Sequence, residues 1–314
     1  MDSLRFSIIV PVYNAEETIG PCIESLLAQD FPKDQYEIIV VDNNSTDGTK
    51  HRIQRYNVNY VVEKKIQTSY AARNRGIQEA VGEVLAFIDA DCVADRNWLK
   101  AAVELFRDPK VGGAGGKVIA YRPVTYIERY QERRGEMDQE QYFIAARKAG
   151  RLVKIITCNA FYRREIFDQV GLFNQELVSG GDYDFSLRVQ AQTDYLLAYA
   201  DRAIVQHRHR NSLHEFWRQY YKYGLGRLYL AVEFNPNAVE QCRKYGYLRP
   251  LYWKLRQIAT RLMALLSHVL RYTVTRRPEA KQEMEDAFLD AVRIVALYFG
   301  NLRSSIAQRT PYFE

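Results

Sequence analysis

The sequence is poor in the residues that build disulfide frameworks and zinc sites. It has four cysteines in 314 residues, Cys22, Cys92, Cys158 and Cys242, with no C-x-x-C pair among them. That scatter argues against a disulfide scaffold or a zinc site and suits a reducing, cytoplasmic compartment. No run approaches the roughly 18 uninterrupted apolar residues of a spanning helix, so no segment is expected to cross a membrane. The amino terminus carries Asp2 early and an apolar run that stops at Pro11, which reads as a first strand and not as a secretory signal. No G-x-G-x-x-G follows that run, which argues against a dinucleotide-dependent dehydrogenase. Internal repeats and low-complexity linkers are missing too. What remains is an ordinary globular composition, 47% apolar and 26% charged, long enough for two domains or one large one.

The net charge of +6 conceals an asymmetry. Residues 202–277 hold 15 of the 44 basic residues but three of the 38 acidic ones, a net of +12, and the rest of the chain carries −6. No recognised nucleic-acid reader motif accompanies those bases, so nucleic acid is not an expected partner.

The first hundred residues alternate strand and helix signals. Phe6–Val12 is a continuous apolar run, as in a strand buried on both faces. Asn14 can cap a helix with Glu16 and Glu17 in its first turn and Ile19, Ile23, Leu26 and Leu27 as its buried stripe. Strands are expected at Glu37–Val41, Val58–Val62 and Val84–Asp89, and helices at Ser69–Ala80 and Asn97–Phe106. This rhythm predicts an α/β fold with a mostly parallel, doubly wound sheet, whose ligands bind beyond the carboxyl ends of the strands. Further on, Gly112–Gly116 precedes an expected strand at Lys117–Tyr121; it lets backbone approach a ligand, or serves a turn and tight packing. Residues 125–148 read as helical, polar and exposed, Ile155–Ala160 as a strand, Arg163–Val170 and Asp182–Gln192 as helices, and Leu196–Ala200 and Ile204–His207 as two short strands. From Ser212 the pattern is helical. The expected domains are therefore 1–210 and 211–314.

Asp89-Ala-Asp91 ends an apolar strand, where unpaired carboxylates are costly to desolvate. Either the pair supports a divalent cation, Mg²⁺ or Mn²⁺, or it caps the following loop. Asp42 ends another strand and either forms a turn or accepts a hydrogen bond from a nucleobase or ribose. Arg73 and Arg75 lie near a helix start, where anions are favoured, or they form a solvated helical face.

Five ordered segments resemble family 2 glycosyltransferases of the GT-A fold: Ile8-Ile-Val-Pro-Val-Tyr-Asn14, Val40-Val-Asp42-Asn-Asn-Ser-Thr-Asp47-Gly-Thr49, Ala72-Arg-Asn-Arg-Gly76, Phe87-Ile-Asp-Ala-Asp91 and Gly180-Gly-Asp-Tyr-Asp-Phe185. The resemblance covers residues 5–210. It implies a Rossmann-like GT-A domain followed by a helical extension, and an inverting transfer from a nucleotide-sugar, UDP-linked by expectation, to a hydroxyl of a glycan or lipid-linked glycan. It puts Pro11, Tyr13 and Glu16 around the nucleoside, Asp42 on the base, Arg73 near the diphosphate and Asp89 on the ribose or sugar. Asp91 and His207 become the ligands of the divalent cation. Asp182 matches the family's general base, and Asp184 is a second acidic candidate near the substrate or a first-turn residue complementing the helix dipole. Where many relatives have Glu before the base, this chain has Gly181.

In the tail, Gln219, Lys222 and Tyr223 depart at two defined positions from the Q-x-x-R-W motif of processive relatives, so a processive polymerase is not expected. Leu251, Leu255, Ile258, Leu262, Leu265, Leu266, Val269 and Leu270 trace one helical face flanked by Lys254, Arg256, Arg261 and Arg271. That face fits a peripheral contact with the cytoplasmic side of an anionic membrane, a packing surface, or a homodimer. Two rival readings are a sugar nucleotidyltransferase and an inactive nucleotide-sugar-binding scaffold. Pro11-Val-Tyr-Asn-Ala-Glu16 stands where the first would need a glycine-rich basic loop, and retention of Asp42, Asp89, Asp91 and Asp182 argues against the second.

Overall fold

The computed structural model describes residues 4–234 and 248–307. Among these, one sheet is built from β1 (Phe6–Val12), β2 (Tyr36–Asp42), β3 (Asn59–Val62), β4 (Val84–Ile88), β5 (Cys92–Ala94), β6 (Val111–Ala120), β7 (Asn159–Arg163) and β8 (Leu196–His207). Its order is β3-β2-β1-β4-β7-β6-β8-β5. β3, β2, β1 and β4 run parallel. β1 and β4 are buried along their whole length, as their unbroken apolar runs require. The sheet is not parallel throughout: β7 enters antiparallel between β4 and β6, and β5 pairs antiparallel with β8.

The helices are α1 (Ile19–Leu27), α2 (Thr49–Ile53), α3 (Ser69–Glu79), α4 (Trp98–Leu105), α5 (Tyr126–Arg134), α6 (Gln139–Ala149), α7 (Arg164–Val170), α8 (Gly181–Gln192), α9 (Leu213–Phe234), α10 (Leu248–Thr275) and α11 (Pro278–Ala307).

Several expectations are corrected. α1 starts at Ile19 and Asn14 does not cap it; Asn14 has φ 47°, and the next two backbone N–H groups are taken by side chains of another loop. Leu27 lies at the frayed end of α1 and is 39% exposed, outside the buried stripe. Gly112–Gly116 lies inside β6. A Cβ would meet the side chain of Tyr195 at Gly112 and the ring of Tyr162 at Gly113, so these glycines serve strand packing. The residues expected to be helical over 125–148 are so, in two helices. Gly135, at φ 59°, turns the chain out of α5, and Asp138 caps α6 by accepting from the N–H groups of Glu140 and Gln141. The strand expected at Ile155–Ala160 starts only at Asn159, because the preceding segment spends its backbone groups on α8: Val153 exchanges bonds with Gln190, and Ile155 donates to Ser186 Oγ. The two strands expected before His207 are one, with a register irregularity facing Gly116 and Lys117.

The chain forms two compact units. The first takes residues up to Arg122, Gly135–Leu177 and Gly181–Arg208; the second takes Pro123–Arg134, Val178–Gly180 and the residues from His209 onward. Where the sequence suggests one cut after 210, two upstream segments therefore belong with the tail. Within the second unit, Ile127, Tyr130, Phe216, Tyr220 and Leu289 form the core. α9 and α11 approach closely enough that a Cβ on Gly224 or Gly300 would strike the partner helix's backbone. α10 leaves Leu255, Leu262, Met263, Leu266, Leu270 and Val274 exposed. Among the described residues no helix is long and apolar enough to cross a membrane.

Candidate functional site

Because β1 pairs with both β2 and β4, the carboxyl ends of these strands lie side by side, and the loops leaving them are neighbours. Asp42 ends β2 almost wholly buried. Its Oδ1 accepts from the Ser45 N–H at 2.9 Å and its Oδ2 from the Tyr60 hydroxyl at 2.8 Å. Burial, and donation to Asp42, push the Tyr60 phenol up, so it stays a donor. The loops after β1 and β2 are laced together. Asn14 accepts from the Thr46 N–H at 2.8 Å, Ala15 N–H donates to Thr49 Oγ1 at 2.8 Å, and Glu16 Oε2 accepts from the Gly48 N–H at 3.0 Å. Glu16 thus holds the loop that presents Asp42. Pro11 is buried within β1, while Tyr13 is 49% exposed at its end.

α3 is capped by Thr68, which accepts from the Ala71 N–H at 3.1 Å, and Asn74 ties it to Phe173 through two backbone bonds. These contacts fix Arg73, which is 3% exposed and pairs with Asp89 at 2.5 Å. Its Nε is buried and has no hydrogen-bond partner among the described residues. Arg75, in contrast, pairs with Glu79 on the outer face of the same helix.

The β5–β8 ladder sets Cys92 opposite His207, and the Arg208 N–H donates to the Asp91 carbonyl at 3.0 Å. Asp91 Oδ1 therefore comes to 3.6 Å from His207 Nε2. One ligand atom each from Asp91, Cys92 and His207 lies within 4.8 Å of the others. Burial, reinforced by the Asp91 charge, pushes the Cys92 thiol well up, and its soft sulfur does not suit a hard cation such as Mg²⁺ or Mn²⁺. The usable set is a carboxylate and an imidazole. That set fits Mn²⁺ or Mg²⁺ held in part by phosphate oxygens.

Asp182 sits in the first turn of α8, half-buried. Burial raises its carboxyl, Arg73 and then Lys154 pull it down, and burial prevails. Arg73 thus pairs with Asp89 and acts on Asp182, and the buried Cys158 thiol lies within electrostatic reach of these three and of Asp91, so the four groups converge on one neighbourhood. Asp184 is not part of that convergence. It is buried, paired with Arg188 at 2.9 Å, and Arg188 also donates to the carbonyls of Val170 and Leu172. In this structure the Asp184 charge, expected near the substrate or at the helix start, holds α8 against the end of α7.

Tyr70 and Lys154 were not singled out in the sequence. Tyr70 lies one helical turn before Arg73, a spacing that places both on one face and could have flagged it. Lys154 lies in an irregular segment with no periodic signal. A cavity lined by Leu4, Gln29, Asp30, Lys100 and Arg107 contains none of the site residues.

Residues 7–171 match the family model described as glycosyl transferase family 2. The chain belongs to this family. It is 34% identical over 229 residues to the glycosyltransferase AglE of Haloferax volcanii, covering 71% of this chain and 72% of that one. It is 26% identical over 237 residues to the dolichyl N-acetyl-alpha-D-glucosaminyl phosphate 3-beta-D-2,3-diacetamido-2,3-dideoxy-beta-D-glucuronosyltransferase of Methanococcus voltae, covering 70% and 72%. In fold it is similar to the mannosyltransferase PcManGT of Pyrobaculum calidifontis, solved with GDP-Man and Mn²⁺. The TM-score is 0.65 at 20% identity, over 96% of this chain and 88% of that one. The fold is GT-A, and the chain is a glycosyltransferase acting on a nucleotide-sugar donor.

Proposed function

We propose that this glycosyltransferase is inverting and metal-dependent, and that it moves a sugar from a UDP-sugar to a hydroxyl of a glycan or lipid-linked glycan. The observation that carries the reading is the buried Arg73 paired with Asp89 at 2.5 Å, beside Asp91 and His207 brought together by the β5–β8 ladder and with Asp182 under the pull of the same guanidinium. Tyr13 stacks on the nucleoside, and Asp42, with one bond already on each oxygen, offers a remaining lone pair to the single N3–H of uracil. Asp89 meets the ribose or sugar. Arg73 turns its unpaired Nε to the diphosphate. Asp91 and His207 hold the divalent cation, which when bound offsets the charge of the leaving diphosphate. Asp182 accepts the proton of the acceptor hydroxyl as that oxygen attacks the anomeric carbon; the bond to the diphosphate breaks, and its electron pair leaves with UDP. The name of the Methanococcus relative specifies a dolichyl-linked acceptor, which supports a lipid-linked acceptor for this chain.

A thermal-shift screen of UDP, GDP, dTDP and their sugars, with Mn²⁺, Mg²⁺ or EDTA, tests the donor. UDP or a UDP-sugar is expected to stabilise the protein only with metal, by about 2.7 kcal/mol at a hundredfold excess over the dissociation constant. A response to GDP or dTDP alone overturns the UDP assignment, and equal shifts with EDTA overturn the metal.

We also infer that α10 rests on an anionic lipid surface. Its exposed apolar face is flanked by exposed Arg256 and by exposed Arg271, which pairs with Glu283 of α11 at 2.6 Å, and α10 itself carries no acidic residue. Self-pairing across a two-fold axis would set these cationic flanks against each other, whereas acidic headgroups complement them. Sedimentation with phosphatidylcholine vesicles, with and without phosphatidylglycerol, is expected to show binding only to the acidic ones. A Leu266→Glu/Leu270→Glu double variant is expected to lose that binding at least tenfold, and both positions are exposed enough to spare the fold. Absence of vesicle binding together with a dimer that this variant dissociates would make the face a contact between copies.

A further inference from the structure

The residue before Asp182 is glycine, and the surroundings show why. The ring of Tyr70 stands where a side chain at Gly181 would go: a Cβ there would lie 2.8–2.9 Å from three ring carbons. The same phenol accepts the Gly181 N–H at 2.9 Å, and its oxygen lies 3.5 Å from Asp182 Oδ1. Gly181 and Asp182 open α8, so the Tyr70 hydroxyl meets one of the unpaired N–H groups of that helix start. With its lone pair given to Gly181, the hydroxyl keeps its proton for Asp182. Burial, and then the neighbouring Asp182 charge, raise the phenol so that it never ionises near neutral pH. The ring is held in turn, against Phe173 at 6.0 Å on one side and beneath the Arg73 guanidinium at 5.5 Å.

We propose that Tyr70 is a positioning residue for transfer, whose hydroxyl clamps the Gly181 amide and orients the Asp182 carboxylate toward the acceptor. The proposal rests on the reading of Asp182 as the base. A length of 3.5 Å is long for a working hydrogen bond, and such bonds commonly shorten once substrate is bound. The clamp joins α3 to α8, so the helix that carries Arg73 also sets the base, and donor and acceptor groups are registered by one element. The other titratable or charged groups that act on Asp182 or its surroundings are Arg73 from α3, Asp89 and Asp91 beyond the end of β4, Lys154 and Cys158 from the segment between α6 and β7, Tyr142 from α6 and Tyr162 from β7.

The test is the pH profile of transfer by the full chain, with Tyr70→Phe beside the unaltered enzyme. Phe keeps the ring and its packing but gives no proton to the ionised carboxylate. Turnover is expected to fall about tenfold with donor KM unchanged, and the acid limb to move up by about one pH unit. An unchanged limb and turnover overturn the proposal. Gly181→Ala supplies the second arm: alone it drives a methyl into the ring and lowers turnover, and in a Tyr70→Ala background it is expected to add little further loss. Additive losses in that cycle overturn the clamp. Asp182→Asn, run in parallel, separates the two ideas, because near-normal turnover in that variant removes the base itself, whatever Tyr70 does.

Discussion

Asp182→Asn is expected to reduce sugar transfer by about a thousandfold while leaving UDP-sugar affinity within about twofold, because an amide cannot accept the acceptor's proton. Turnover with a saturating donor, measured beside donor binding by calorimetry, checks both halves. The same carboxyl fixes the pH dependence. Burial lifts it above the ordinary carboxylate range against the pull of Arg73 and Lys154. Transfer should therefore fall with acid earlier than an ordinary Asp would dictate. Lys154→Met removes one of the opposing charges and should push the limb higher still. The linked effect on stability has the opposite sense. A carboxyl raised in the folded state contributes stability below its unfolded pKa and loses it as pH rises through the folded one. At neutral pH the ionised Asp182 is a liability, so Asp182→Asn should melt later than the parent near pH ~7 and with little difference near pH ~4. A variant that melts earlier at neutral pH would show that the carboxylate is held by more than Tyr70 and its own helix start.

Asp91→Asn is expected to abolish the metal-supported part of nucleotide binding, the whole of the roughly 2.7 kcal/mol stabilisation at a hundredfold excess of ligand. The substitution is nearly isosteric, and the Asp91 carbonyl that accepts from Arg208 is untouched, so the apo protein should melt close to the parent. Titrating UDP with and without Mn²⁺ reads the effect directly. Retained metal dependence would mean that His207 and groups outside the Asp91–His207 pair suffice, and Asp91 would leave the proposed site.

The place of Asp89-Ala-Asp91 was legible because a continuous apolar run, Val84–Ile88, stops at Asp89, and runs of that kind are buried strands, whereas the ligand role proposed for Asp91 came from the family resemblance. Asp42 was legible for the same reason at the end of β2. Arg73 was legible only as one of two arginines; Arg75, two residues on, points to Glu79 instead, and helical phase against the sheet decided between them. Asp184 shows the reverse case. It shares a motif with Asp182 and stands two residues away, yet the helix turns it toward Arg188. Gly112–Gly116 looked like a loop because glycine clusters break local structure, and it became a strand because Tyr162 and Tyr195 fill the space its missing side chains leave.

By itself the sequence determined the parallel half of the sheet, the order of its motifs and the carboxylates at the strand ends. These follow from local periodicity and turn chemistry, which act over a few residues. The pairing of Cys92 with His207, the antiparallel entry of β7 and the contact of Tyr70 with Gly181 were decided only in the folded chain. Each joins residues that are distant along the sequence. Their register depends on which ladders and ring contacts close together, and no spacing in the sequence encodes that choice.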